Sequence, residues 1–241
     1  MDSKVHLDVK AVDLMIGGFR ILNDISFQTR RGELLALIGP NGAGKTSLLN
    51  CVSGIYQASG GSILFEGKDL VGKKPHRIAK IGITRTFQHA ELFRHMNVLD
   101  NLLVGRQIMM KCGLLSNGIF WGKTIKEEIT HRQVVEEVIE FLELEKYRKS
   151  DASGLADEPS AGMNRQEKED LARFILRIKY EIGITMIWVE HDMQLVGDLA
   201  DRIVVLNFGT KLAEGESASV LRDSRVIEAY LGTGGSQQVQ V

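Results

Sequence analysis

The chain reads as an α/β protein, and three features of its 241 residues predict that class. Leu34-Leu35-Ala36-Leu37-Ile38 is apolar throughout, the pattern of a strand buried on both faces of a parallel sheet, and a helix is expected directly afterwards, from Lys45 to about Ser53. Short apolar runs at Val5 to Val12, Ile21 to Phe27 and Ser62 to Phe65 alternate with Gly-rich or polar turns, so the opening is β-rich. Beyond Arg165, helix and strand alternate, which favours parallel pairing: a helix over Arg165 to Lys179, a strand over Ile184 to Val189, the unit His191 to Leu199, and a strand over Arg202 to Asn207.

Between these halves the periodicity becomes helical. Val98, Leu102 and Leu103 form one apolar stripe, and Ile125, Ile129, Val135, Val138, Ile139 and Leu142 form another. Lys111 to Gly122, which carries Phe120 and Trp121, reads as an exposed loop inserted among these helices. Thr233 to Val241 is rich in Gly, Ser and Gln and is expected to fray.

Bulk properties exclude several classes. With 30 basic and 31 acidic residues the formal charge is −1, so electrostatics give no push towards nucleic acid. The two cysteines, Cys51 and Cys112, lack the paired spacing of a zinc site and read as reduced thiols, Cys51 on an apolar helix face. MDSKVHLDVK has neither the charged start nor the apolar stretch of a signal peptide, and no apolar run approaches the ~18 residues of a membrane span. Association with a membrane is expected only through a partner.

Gly39-Pro40-Asn41-Gly42-Ala43-Gly44-Lys45-Thr46 fits G-x-x-x-x-G-K-[ST] and stands after a buried strand and before a helix, where that pattern has mechanical meaning. Glycines let the backbone curl so that successive N–H groups face phosphate oxygens, and the helix N-terminus adds a partial positive charge. In this reading Lys45 bridges the outer phosphates, Thr46 ligates Mg²⁺, and Ser47 closes the phosphate-binding stretch. The bland rival is a Gly-rich turn that happens to precede a lysine, and the strand-loop-helix context weighs against it.

Gly39 to Leu49, GPNGAGKTSLL, resembles the Walker A loop of ABC-type ATPases, and three further elements follow in the expected order. Thr86-Phe87-Gln88 is similar to the Q-loop, whose Gln reaches Mg²⁺ and the attacking water. Asp157-Glu158-Pro159-Ser160-Ala161-Gly162-Met163-Asn164 is similar to the end of Walker B running into the D-loop, and Glu190-His191-Asp192 resembles the switch histidine. The resemblance implies that Asp157 holds Mg²⁺ through water, that Glu158 polarises the attacking water and that His191 contacts the γ-phosphate. Taken alone, Asp-Glu before Pro is a solvated helix start, Asp192 is an N-cap, and Gln88 says nothing.

The likeness extends over nearly the whole chain. Met96 to Val104 through Gly113-Leu114-Leu115, together with the ending Val226-Ile227-Glu228-Ala229-Tyr230-Leu231-Gly232, most resembles the ATP-binding subunits of branched-chain amino-acid importers. The resemblance implies a P-loop NTPase of ABC type, with a mixed sheet core, an antiparallel β subdomain and a helical subdomain. One ABC domain is expected over 1–232, its nucleotide-binding core from 1–86 and 157–232 and its helical subdomain from 87–156, with 233–241 as a tail. It also implies ATP and Mg²⁺, a second ATP-binding subunit in a homo- or heterodimer, two membrane permease subunits and, indirectly, a periplasmic solute-binding protein. The expected place is the cytoplasmic face of the inner membrane, peripheral through the permeases, with leucine-like amino acids as cargo and urea or short amides as alternatives.

The sequence departs from the family in one stretch. Lys149-Ser150-Asp151-Ala152-Ser153-Gly154-Leu155 passes directly to Ala156-Asp157-Glu158, with no LSGGQ-like signature, signature helix or full apolar strand before the acid pair. The helical subdomain therefore reads as truncated before residue 157. A helix of about 11 residues and a strand of about 5 have no room there. The missing strand is expected beside the Walker A strand, where its loss would strip the core of a neighbour. A genuine internal deletion that makes a degenerate subunit and a written sequence from which a segment has dropped out both account for this, and the ordinary flanks, Glu158 and His191 included, favour the second. The adenine-stacking position is also altered: Ile16 stands where the family places Tyr or Phe, with Phe19 as a candidate substitute.

Two functions follow. One is an ATPase motor in which ATP closes a dimer and hydrolysis resets it. The alternative is a degenerate, non-hydrolysing nucleotide-binding subunit. An ABC protein of DNA repair or translation needs tandem cassettes or long coiled-coil or basic insertions, and a single near-neutral cassette argues against it.

Overall fold

The computed structural model describes residues 5–86, 92–106, 123–150 and 165–231. They fall into two units, Met1–Thr84 with Met163–Val241, and Arg85–Gly162.

Among the described residues, the first unit holds two four-stranded sheets, ordered β2-β1-β4-β5 and β6-β3-β7-β8. β1 (Val5–Ile16) and β2 (Phe19–Arg30) form a long antiparallel hairpin, and β4 (Gly60–Phe65) and the two-residue β5 (Lys68–Asp69) continue it. In the second sheet β3 (Leu34–Ile38) pairs in parallel with β6 (Met186–Val189) on one side and β7 (Arg202–Asn207) on the other, and β8 (Thr210–Glu216) returns antiparallel to β7.

All five residues of β3 are buried, as its unbroken apolar run predicts. The pleat sends Leu35 and Leu37, with Val204 and Leu206 of β7, into one cluster with the first sheet and with Leu48, Cys51 and Val52 of helix α1 (Lys45–Val52). Ala36 and Ile38, with Ile203 and Val205, face the other way onto Val196 of α6 (Met193–Leu199), Val220 of α7 (Ser217–Val220) and Val226 of α8 (Ser224–Leu231). Helix α5 (Arg165–Arg177) covers Leu34 through Ile175, with Leu171, Ala172 and Leu176 beside it. Helix α2 (Pro75–Ile81) adds Ile78 to the first cluster.

In the second unit, α3 (Val98–Arg106) and α4 (Lys123–Phe141) pack through Leu99, Val135 and Ile139. Arg106 Nε donates to Nδ1 of the buried His131 at 3.0 Å. The Lys111 to Gly122 loop and the Thr233 to Val241 tail lie outside the described residues.

Two expectations need correction. The strand expected to be missing beside β3 is not missing there, because β6 and β7 already occupy both of its edges. The segment before Asp157 therefore leaves β3 fully paired. The helix expected to run to Lys179 stops at Arg177 and passes into a π turn, Ile178–Ile182, that carries Lys179 to Asp201 at 2.6 Å. Asp201 in turn accepts from the Leu34 N–H at 2.8 Å, fixing the start of β3.

Candidate nucleotide-binding site

The phosphate-binding candidate grows out of the carboxyl end of β3. Gly39, Gly42 and Gly44 all hold positive φ, at 148°, 80° and 100°, which lets the six residues between β3 and α1 fold back from strand to helix. A Cβ on Gly39 would stand 2.1 Å from the Leu206 carbonyl oxygen, so only glycine lets the loop pass β7. Ala43 is buried, while Asn41, Gly42 and Thr46 are exposed. Pro40 accepts the Ala43 N–H at 3.1 Å, which closes the turn.

Lys45 opens α1 and is 7% exposed. Its Nζ donates to the Gly39 carbonyl at 2.5 Å and to the Pro40 carbonyl at 3.0 Å, so the ammonium lies across the mouth of the loop. Burial lowers its pKa from the ordinary lysine value. A buried cation satisfied by two neutral carbonyls is an incomplete match, which an anion in the loop would complete.

The β7–β8 turn supports the loop from behind. Gly209 N–H donates to the Ala43 carbonyl at 3.1 Å, and the Gly209 carbonyl accepts from Asn23 at 2.8 Å. Tyr230 reaches the same place from α8: burial pushes its hydroxyl up to about 12, opposed by the nearby Gly39 backbone. Neither contact was foreseen from the sequence. Asn-Phe-Gly-Thr after an apolar run is a turn signal for Gly209, but nothing local points to Tyr230.

His191 arrives at the same edge of the sheet. Leu37 pairs with Val189, and two residues beyond each lie Gly39 and His191, so the parallel register sets them level at the carboxyl ends of adjacent strands. His191 is exposed. Its backbone N–H donates to Glu190 Oε1 at 2.7 Å, and the Asp192 N–H approaches the same oxygen at 3.3 Å. Asp192 is the N-cap of α6, accepting from Gln194 at 3.1 Å and Leu195 at 3.2 Å, a cap of about 1 kcal/mol. Its carboxyl is held below the usual carboxylate range, first by a hydrogen bond from Lys168 at 2.8 Å.

Gln88, Asp157 and Glu158 lie outside the described residues, as does Cys112. Among the described residues no cluster of three or more His, Cys, Asp or Glu is placed to hold a metal. Ile16 and Phe19 pair at the tip of the β1–β2 hairpin and are 42% and 75% exposed. No helix among the described residues is long and apolar enough to cross a membrane.

Residues 22–179 match the family model described as ABC transporter, and residues 210–236 match one described as branched-chain amino acid ATP-binding cassette transporter. The high-affinity branched-chain amino acid transport ATP-binding protein LivG of Salmonella typhimurium is 36% identical over 255 aligned positions, which cover 95% of this chain and 99% of LivG. BraF of Pseudomonas aeruginosa, described in the same words, is 34% identical with the same coverage. Those 255 positions exceed the 241 residues of the chain, so both relatives carry residues that have no counterpart here. The crystal structure of the ADP conformation of MJ1267, an ATP-binding cassette of an ABC transporter, superposes with a TM-score of 0.79 at 31% identity, covering 95% of this chain and 99% of that one. With the glycine loop, the parallel register and these likenesses together, the chain belongs to the ABC transporter family, as an ATP-binding cassette of ATPase type with the P-loop fold.

Proposed function

We propose that this cassette energises an importer of branched-chain amino acids, with ATP as substrate and Mg²⁺ as its companion ion. The observation that carries ATP use is the Gly39–Thr46 loop with Lys45 folded across it. The cargo class is supported by the match over residues 210–236 and by the names of LivG and BraF.

In this reading the loop's backbone N–H groups receive the phosphates, and Lys45 moves from the Gly39 and Pro40 carbonyls onto the outer phosphate oxygens. The exposed Thr46 hydroxyl, on the first turn of α1, fits a magnesium ligand, with Gln88 and Asp157 completing the set. When bound, that ion neutralises charge on the phosphate oxygens. Glu158 orients and polarises water, and His191 meets the γ-phosphate from the end of β6. The partners are a second ATP-binding subunit, two permease subunits at the cytoplasmic face of the membrane and, through them, a periplasmic solute-binding protein. No comparison supports the degenerate, non-hydrolysing alternative.

Lys45→Ala is expected to abolish Mg²⁺-dependent phosphate release, and wild-type turnover in that variant would refute the assignment. Co-purification with the neighbouring permeases, followed by ATPase assay in lipid, tests the cargo: leucine should stimulate turnover, and stimulation by urea or short amides instead would overturn the amino-acid reading.

A further inference from the structure

Glu190 and Asp192 flank His191, and both turn their carboxylates inward on the same short turn. Glu190 Oε1 takes the His191 and Asp192 N–H groups, while Asp192 Oδ1 takes those of Gln194 and Leu195. The backbone of His191 is thus held between two carboxylates that cap the N–H groups of the turn. The second oxygen of Asp192 is engaged from outside the turn: Lys168 Nζ donates to Oδ2 at 2.8 Å across 24 residues of sequence.

Lys168 sits on α5, which is fixed to the core where Leu171, Ala172, Ile175 and Leu176 pack with Leu34, Met186 and Leu199. The ammonium therefore hangs from a rigid element, while the turn it grips is a connection between β6 and α6.

We infer that Lys168 is a positioning residue for His191, bracing the Asp192 carboxylate so that the turn between β6 and α6 presents the imidazole at the sheet edge that it shares with Gly39. The inference rests on the reading of His191 as a γ-phosphate contact. In this role Lys168 acts through Asp192 rather than on the nucleotide. Both side chains of the pair are partly exposed, at 46% and 30%, so the bridge contributes little to global stability and its effect is local.

The test uses the full chain with Lys168→Met, Lys168→Arg, His191→Ala and the Lys168→Met/His191→Ala double variant. Amide hydrogen exchange over residues 191–195 should accelerate severalfold in Lys168→Met, with Tm unchanged, and return towards wild type in Lys168→Arg. The kcat for MgATP should fall about three- to tenfold in Lys168→Met with little change in ATP affinity, and Lys168→Met should add nothing once His191 is alanine. Unchanged exchange in Lys168→Met overturns the inference whatever the turnover. An equal loss of kcat with and without His191 overturns it as well, because Lys168 then acts elsewhere. Full turnover in His191→Ala defeats the reading of His191, and the exchange result still decides whether Lys168 braces the turn.

Discussion

Gly39 and Gly42 both hold positive φ, yet only Gly39 is walled in. A Cβ at Gly42 meets nothing within 4 Å, whereas one at Gly39 meets the Leu206 carbonyl oxygen at 2.1 Å. Gly42→Ala should therefore cost only the left-handed backbone penalty, about 1 kcal/mol. Gly39→Ala must also displace β7 backbone and should cost about 3 kcal/mol or more. Thermal unfolding of the two variants checks this, and equal losses would refute the close approach. Cys51 offers a second test. It is 4% exposed, and burial pushes its thiol up to about 11, so at pH 8 only about a thousandth is thiolate. Alkylation by iodoacetamide at pH 8 should wait on unfolding, and rapid labelling of the folded protein would contradict the burial. The glycine loop was legible in the sequence because its parts are contiguous, from Gly39 to Thr46. Gly209 on Ala43 and Lys168 on Asp192 were not, because each pairs residues far apart in the chain through folding alone.

Among the elements, β3 and β6 make the sharpest contrast. β3 has partners on both edges and is buried at every position, while all four residues of β6 are half-buried and β3 is its only strand partner among the described residues. Native-state hydrogen exchange should find Leu34–Ile38 in the slowest class and Met186–Val189 measurably faster. Equal protection of the two strands would show that something else seals the β6 edge. The sequence made β3 plain because a five-residue apolar run between a turn and a glycine loop has few other uses. It concealed β8, because TKLAEGE lacks apolar alternation. That strand exists through its pairing with β7 after the Phe208-Gly209 turn and through the Arg202 bridge to Glu214, which Lys211 also reaches. The π turn at Ile178–Ile182 was hidden for a similar reason, since the ion pair of Lys179 with Asp201 depends on where β7 begins.

For the whole molecule, the sheet order relocates the consequence of the abbreviated stretch between Gly154 and Asp157. If a strand is absent, the order β6-β3-β7-β8 leaves it no room beside β3, and the edge of β6 that is unpaired among the described residues is where it would pair. The buried centre around Leu35, Leu37, Val204 and Leu206 therefore closes without it, and the large loss of stability expected from an unpaired Walker A strand does not arise. The missing signature helix would be felt elsewhere: the resemblance to ABC ATPases implies that one subunit's signature meets the phosphate in the other's loop, so its absence would bear on dimer closure rather than on folding. The flanks read as those of a working cassette, and the relatives' alignments need more positions than this chain has. A helix of about 11 residues and a strand of about 5 would add mass on the order of 2 kDa. The protein expressed from its native coding DNA is accordingly expected to exceed 26.8 kDa by that amount when its intact mass is measured. A measured mass of 26.8 kDa would make the short form the native one, and this chain would then have no signature to offer the phosphate loop of a paired subunit.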